Sequence, residues 1–428
     1  MELLKNTLQD AFTFLFPLVL MDVTRETSTN TLKPTSVKAP ANQWMHAAKL
    51  CTAEDKLVVT PNVDTIYSQA WLDLSKGPIL MTVPESDRFL NVEVLDAWTD
   101  APYVVTEAGN YVFAREGYEL NLPDDIKRID VDTDIVWLIV RILIKNQEDM
   151  VNVRALQEEL KLIPWDVFLS GETYKAPEGS YSPESDFVPV QYVFGMTPEQ
   201  FFNRANSLLV GNPIRKADIQ TVKSFESLGI GAGISFDNGT ADLENVWKEI
   251  LSEFVPRLNA ESANFSKKMG LWKMFDDPIA NFGTEYGYRA LVAVAGLGAN
   301  PTTVAIYPKG ETDSSGEPLD GNHTYTLHFD SLPPVIGKGF WSVTAYGADD
   351  FLIPNPVDRY SINDRSTYTL NTDGSLDVIL SEVQPKDENY WLPVCKGPFH
   401  LYLRIYQPDI EALKTWTAPA ITQKITIA

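Results

Sequence analysis

The period of the apolar residues changes twice along this chain, from strand-like alternation to helical spacing and back, and that order constrains the fold more than any single motif. Between about 50 and 145, Ile79 to Val83, Phe89 to Ala97, Tyr103 to Phe113 and Ile135 to Ile144 alternate with turn residues, the pattern of an antiparallel sandwich. From Ile66 the even positions Ile66, Ser68, Ala70, Leu72 and Leu74 make a mostly apolar face. The odd positions Tyr67, Gln69, Trp71 and Asp73 make an aromatic and polar face, suited to solvent, another domain or a ligand. Helical spacing then takes over in Glu148 to Leu160, Pro198 to Leu209, Ala217 to Leu228 and Ala241 to Met269, the last with a break expected near Pro256. From about Tyr286 alternation returns in His323 to Phe329, Phe340 to Tyr346, Ser366 to Leu370, Leu376 to Ser381 and Phe399 to Tyr406, which predicts a sandwich or jelly roll.

The expected fold class is therefore mainly β with an inserted α domain. Its predicted divisions are a helical lead-in over 1–50, a β-sandwich over 51–147, a mostly helical domain over 148–285 and a second sandwich over 286–428. Ala11 to Met21 is too short to span a membrane, is interrupted by Pro17, and reads as a buried helix. No clearly basic leader precedes it, so the chain as it stands reads as cytoplasmic, or as periplasmic or exported if a leader has been removed.

The formal charge of -23, from 35 basic and 58 acidic residues, opposes a sequence-independent grip on nucleic acid or an anionic membrane surface. Cys51 and Cys395 stand in no metal-type spacing, and a single long-range disulfide between them stays open. His323 and His328 are five apart, so on one strand they point to opposite faces and do not chelate together. Gly229-Ile230-Gly231-Ala232-Gly233 reads as helix-end punctuation, not a nucleotide loop. No metal or other cofactor is expected.

Carboxylates are the better catalytic candidates. In Asn91 to Trp98 the even positions Val92, Val94 and Trp98 make the apolar face, so Asp96 is expected to point with them and Glu93 with Asn91 on the other side. A carboxylate aimed at a core is hydrogen-bonded, paired or protonated. Asp96 therefore either ties down a turn or, with Asp64 or Glu93, supplies the acid and base of a hydrolase. In the last strand His400, Tyr402, Arg404 and Tyr406 share a face that either packs on the helical domain or binds a sugar or carboxylate. Tyr67, Trp71, Trp98, Arg359 and Trp391 complete the candidate ligand-binding set.

Two groups of motifs carry a family resemblance. Thr60-Pro61-Asn62-Val63-Asp64-Thr65-Ile66-Tyr67-Ser68, Trp71-Leu72-Asp73-Leu74 and Asp96-Ala97-Trp98-Thr99 resemble bacterial proteins of domain of unknown function 1254. Gly339-Phe340-Trp341-Ser342-Val343-Thr344-Ala345-Tyr346, Asn355-Pro356-Val357-Asp358-Arg359-Tyr360-Ser361-Ile362, Asp373-Gly374-Ser375-Leu376, Asn389-Tyr390-Trp391-Leu392-Pro393 and Gly397-Pro398-Phe399 resemble domain of unknown function 1214. The resemblance implies an Ig-like β-sandwich, a helical domain and a jelly-roll sandwich, and it carries no catalytic set. Two functions are expected: a metal-independent hydrolase or lyase acting on a polar, carbohydrate-like substrate in an interdomain cleft, or a non-catalytic ligand-binding or structural module of the cell envelope. A homo-oligomer is an open alternative.

Overall fold

A computed structural model of the chain describes residues 2–56, 59–236, 243–386 and 390–424. Among these residues it holds twenty strands in four sheets and nine α-helices, a mainly β protein with a helical layer. The N-terminal sandwich is built from β1 (Met45–His46), β2 (Thr65–Asp73), β3 (Ile79–Val83), β4 (Leu90–Asp96), β5 (Tyr103–Val105), β6 (Gly109–Arg115), β7 (Ile126–Val131), β8 (Ile135–Leu143) and β9 (Lys161–Pro164). One sheet runs β1-β2-β8-β4-β5 and the other β7-β6-β3-β9. Ile66, Ala70, Leu72 and Leu74 point into the core between them, as alternation predicts.

The C-terminal sandwich comprises β10 (Ser266–Met269), β11 (Trp272–Phe275), β12 (Ala305–Ile306), β13 (Lys309–Gly310), β14 (Tyr325–Phe329), β15 (Val335–Gly347), β16 (Ser361–Asn363), β17 (Leu376–Ser381), β18 (Trp391–Pro393), β19 (Phe399–Pro408) and β20 (Ala420–Gln423). Its larger sheet runs β10-β11-β13-β19-β15-β16, with β12 also on β19, and the smaller β18-β17-β14-β20. Leu401, Leu403 and Ile405 fill the core between them. Not every pairing is antiparallel: β6 with β7 and β17 with β18 are parallel.

Helix Glu2–Thr29 lies in the middle of the helical layer, against Pro189–Phe194, Pro198–Gly211, Leu243–Glu261 and Tyr286–Gly296. Phe12 packs on the rings of Phe16, Phe201, Trp247 and Phe254 with centroids 4.7–5.6 Å apart. The layer closes on the outward face of the β2, β8 and β4 sheet, where Trp71 and Trp137 stack at 4.7 Å.

Several local expectations need correction. Leu243–Glu261 runs through Pro256 without ending there, and Ser266–Met269 is a strand, not helix. Ala241, the expected start of that helix, lies outside the described residues. Tyr103 to Phe113 is two strands, separated at a turn that ends on Gly109 with φ 141°. Ser366 to Leu370 is not a strand, whereas Ser361–Asn363 is. Ala217 to Leu228 contains only a short α-helix, Ile219–Lys223, between tight turns. Cys51 and Cys395 are both free thiols, so they do not pair. Among the described residues no helix is long and apolar enough to cross a membrane.

Candidate functional site

Strand β8 is apolar on both faces except for Arg141, and a guanidinium in such a strand requires a partner. Register places Tyr67 and Asn91 on either side of it, on the face turned away from the sandwich core. Arg141 Nη1 donates to Glu93 Oε2 at 2.6 Å and to Asn300 Oδ1 at 3.2 Å, and Nη2 donates to the Gly298 carbonyl at 2.8 Å. Gly298 holds a left-handed φ of 83°, strained for a residue with a side chain, and this conformation brings its carbonyl to the arginine. Burial opposes the Arg141 charge, but Glu93 together with the Tyr67, Tyr307 and Tyr406 hydroxyls outweighs it and holds the guanidinium well above its ordinary value. Asn300 Nδ2 donates onward to the Tyr307 hydroxyl at 2.7 Å.

The run Thr60 to Asp64 lies across the outward face of β15 and β19. The expected turn forms: Asn62 Oδ1 accepts from the amides of Asp64 (2.6 Å) and Thr65 (3.0 Å). Its Nδ2 donates to Tyr406 Oη at 2.7 Å. Tyr346 Oη donates to the Pro61 carbonyl at 2.7 Å, and Arg404 Nη2 donates to the Thr60 carbonyl at 3.0 Å. Asp64, fully buried, accepts from Ser342 Oγ at 2.5 Å and from Arg365 Nη2 at 2.7 Å. Thr60 holds a left-handed φ of 46°, a strained backbone for a β-branched residue, retained where surrounding contacts fix it. The polar residues of this run therefore act as a clasp between the two sandwiches.

Asp96 stands apart from both groups. Strand β4 ends there and Thr99 turns with φ 69°, so the parity argument stops at Asp96. Trp98 consequently enters the helical core instead of the sandwich core, its ring 5.2 Å from Phe14. Asp96 Oδ1 accepts from the amides of Trp98 (2.8 Å) and Asp100 (3.1 Å), the turn-fixing role. Asp100 and Asp218 are both bound by Arg215, which lies 3.0 Å from Asp218. Burial, with the Asp100 charge beside it, pushes the Asp96 carboxyl up to about 7.

That shift fixes a pH dependence. A carboxyl that holds its proton more tightly when folded favours folding fully below its unfolded value of 3.8, and loses that contribution as pH rises through about 7. Asp96→Asn keeps the Oδ1 acceptor and removes the titration. The wild-type melting temperature should therefore fall relative to Asp96→Asn as pH rises across this window, and parallel profiles for the two would contradict the assignment.

At the open edge of the seam lies a cleft of about 400 Å³, in the size range of small-molecule sites. Glu85, Ser86, Arg88, Glu107, Lys338 and Gln407 line it together with the buried Phe89. Lys338 Nζ bridges the two sandwiches by donating to the Ser86 carbonyl. Phe89 in turn packs on Phe340 and Tyr406 at 5.4 and 5.3 Å.

The structure thus separates residues that sequence reasoning grouped. Asp64 belongs to the clasp, Glu93 to the Arg141 pair and Asp96 to the turn. Trp71 and Trp98 are core residues, and Tyr67 is half-buried with Arg141 5.5 Å from its ring. Arg359 Nη1 donates to the Trp391 carbonyl at 3.1 Å, and fully buried Trp391 donates to the Ser381 carbonyl, so these two serve the C-terminal sandwich itself. Asn389 of that motif lies outside the described residues. His400, Tyr402, Arg404 and Tyr406 do share one face, directed at the N-terminal sandwich and at Cys51, Ala53 and the Thr60 to Asp64 run. Sequence reasoning missed Arg141, Arg365, Ser342 and Tyr346. Arg141 had a signal as the one charge inside an apolar strand, and Ser342 and Tyr346 stood in the Gly339 to Tyr346 motif without a role assigned to them.

Two family models match the chain, protein of unknown function DUF1254 over residues 41–164 and protein of unknown function DUF1214 over residues 304–410. The chain thus carries a DUF1254 part followed by a DUF1214 part. Thr60 to Asp64 falls in the first matched stretch, and Ser342, Tyr346, Arg365 and Arg404 fall in the second, so the clasp joins the two parts. The fold is similar to the crystal structure of the VPA0106 protein from Vibrio parahaemolyticus, with a TM-score of 0.72 and 22% identity over 98% of this chain and 100% of that one. A putative uncharacterized protein from Burkholderia cenocepacia aligns at TM-score 0.42 and 12% identity, over 97% of this chain and 87% of that one. No curated protein matches.

Proposed function

We propose that this protein binds a small, polar, carbohydrate-like molecule in the cleft between its two sandwiches, without transforming it. The observation that carries this reading is the cleft itself, whose wall mixes carboxylates, cations and an amide with an aromatic ring. Such a wall offers both acceptors and donors, which suits a ligand rich in hydroxyl groups. Gln407 lines this wall and brings to it a side-chain amide, able to donate and accept. Against a paired-carboxylate mechanism stands the use of Asp64 and Glu93, each fully buried and held by an arginine.

Calorimetric titration with a panel of neutral sugars, sugar acids and amino sugars tests the reading. Saturable binding by at least one class is expected, weakened about tenfold or more by Gln407→Ala or Glu107→Ala through lost hydrogen bonds. Absence of binding across the panel, or binding indifferent to both substitutions, would count against it. A catalytic reading rests on Asp96, whose carboxyl burial and the Asp100 charge push up to about 7. Conversion of a panel compound, seen by NMR and abolished by Asp96→Asn, would favour that reading over simple binding.

A further inference from the structure

The cleft at the seam of the two sandwiches has four charged side chains in its wall, Glu85, Arg88, Glu107 and Lys338. Two of them are already matched within the protein. Arg88 is buried, and its Nε donates to Asp87 at 2.9 Å while its Nη1 donates to the buried Asp149. Glu107 accepts from the Lys127 ammonium at 2.6 Å. Glu85 and Lys338 are both exposed, and among the described residues neither is in an ion pair, with the other or elsewhere. The open wall therefore presents one uncommitted charge of each sign.

Lys338 reaches this wall through an irregularity in β15. Val335 pairs with Pro408 and Phe340 with Tyr406, so five steps along β15 match two along β19, and residues 336–339 bulge from the ladder. The bulge needs a glycine at its end, because a Cβ at Gly339 would stand 2.5 Å from the Tyr406 carbonyl oxygen. Facing it on β19, Gln407 holds a left-handed φ of 47°, strained for a residue with a side chain. Bulges re-aim side chains, and this one carries the Lys338 ammonium across the seam to the Ser86 carbonyl. An ammonium has three donors, so that bond leaves two. Glu85 stands on the N-terminal sandwich and Lys338 on the C-terminal one, so the two free charges approach a ligand from opposite sides of the seam.

We infer that the ligand of this cleft is a polyhydroxylated zwitterion, an amino sugar acid whose ammonium meets Glu85 and whose carboxylate meets Lys338. The inference deepens, and depends on, the binding of a carbohydrate-like molecule proposed for the same cleft. A neutral sugar leaves both charges unanswered, an anion answers Lys338 but brings its charge toward Glu85, and a cation does the reverse. Only a ligand with both groups gains at each end, and selectivity is that difference.

The test is calorimetric titration of the full chain at neutral pH with four open-chain compounds of one carbon skeleton: glucosaminic acid, gluconate, 2-amino-2-deoxyglucitol and glucitol. They carry both charges, the negative one, the positive one and none. Glucosaminic acid is expected to bind about threefold to tenfold tighter than either singly charged compound, with the advantage shrinking in high salt because the charges are exposed. Lys338→Met should remove its advantage over 2-amino-2-deoxyglucitol, and Glu85→Gln its advantage over gluconate, each leaving the other advantage in place. Equal affinity for all four, tighter binding of a singly charged compound, or a preference indifferent to both substitutions would overturn the zwitterion assignment while leaving carbohydrate binding intact. Binding of a sugar from the wider panel but of none of these four would do the same, whereas no binding in either set removes the proposed function along with it.

Discussion

Arg141→Met is expected to lower the unfolding free energy by about 3–5 kcal/mol, the cost of leaving one member of a buried ion pair behind. Glu93 is fully buried, its Oε2 is 2.6 Å from Arg141, and its Oε1 has no other hydrogen-bond partner. With the arginine gone, the carboxylate has no neutralising charge, and Asn300 and the Gly298 carbonyl lose their donor as well. Burial already raises the Glu93 carboxyl, so it should protonate in the variant, making the defect smaller at acidic pH. The double replacement Arg141→Met with Glu93→Gln should recover part of the loss, because no uncompensated charge remains. Guanidinium denaturation followed by fluorescence and circular dichroism supplies the measurement. A loss under about 1 kcal/mol in the single variant would mean that water already reaches this pair, in contradiction to the burial seen here.

The second large effect is expected at Phe12, where truncation to alanine should cost about 3–5 kcal/mol. Its ring touches four other aromatic rings, drawn from its own helix, from Pro198–Gly211 and from Leu243–Glu261, and it is fully buried. Removing it leaves a cavity that helices held by many contacts cannot collapse to fill. Phe12→Leu, which keeps most of the volume, should lose much less. Hydrogen exchange should place the loss first in the helical layer and only afterwards in the sandwiches, since their cores are separate clusters. Uniform loss of protection over the whole chain would show that the three layers unfold as one unit.

These two residues also show what could be read from the chain. Ala11 to Met21 is legible as a buried helix because eleven consecutive positions offer no polar face, and all of them are buried. Its companions are not legible, since Phe201, Trp247 and Phe254 lie far along the chain. The faces of β2 and β19 followed from alternation because a pleated strand turns successive side chains to opposite sides. The same rule failed at Asp96, where the strand ends and the next residues turn. Pro256 misled because its position shows only a lost donor, while packing of Val246, Ile250, Phe254 and Leu258 keeps the helix intact.

The sequence by itself determined the two changes of apolar period, the apolar faces of β2 and β19, the turn at Asn62 and the family signature, all of which depend on neighbours along the chain. Tertiary structure alone decided what the polar residues do. Glu93 and Arg141 are 48 residues apart, and Asp64 is 278 from Ser342 and 301 from Arg365. A buried charge must find its partner in space, and periodicity reports only which way a side chain points, not what it meets there. That is why Asp64, Glu93 and Asp96, three carboxylates of similar promise on paper, became part of a clasp, half of an ion pair and the anchor of a turn.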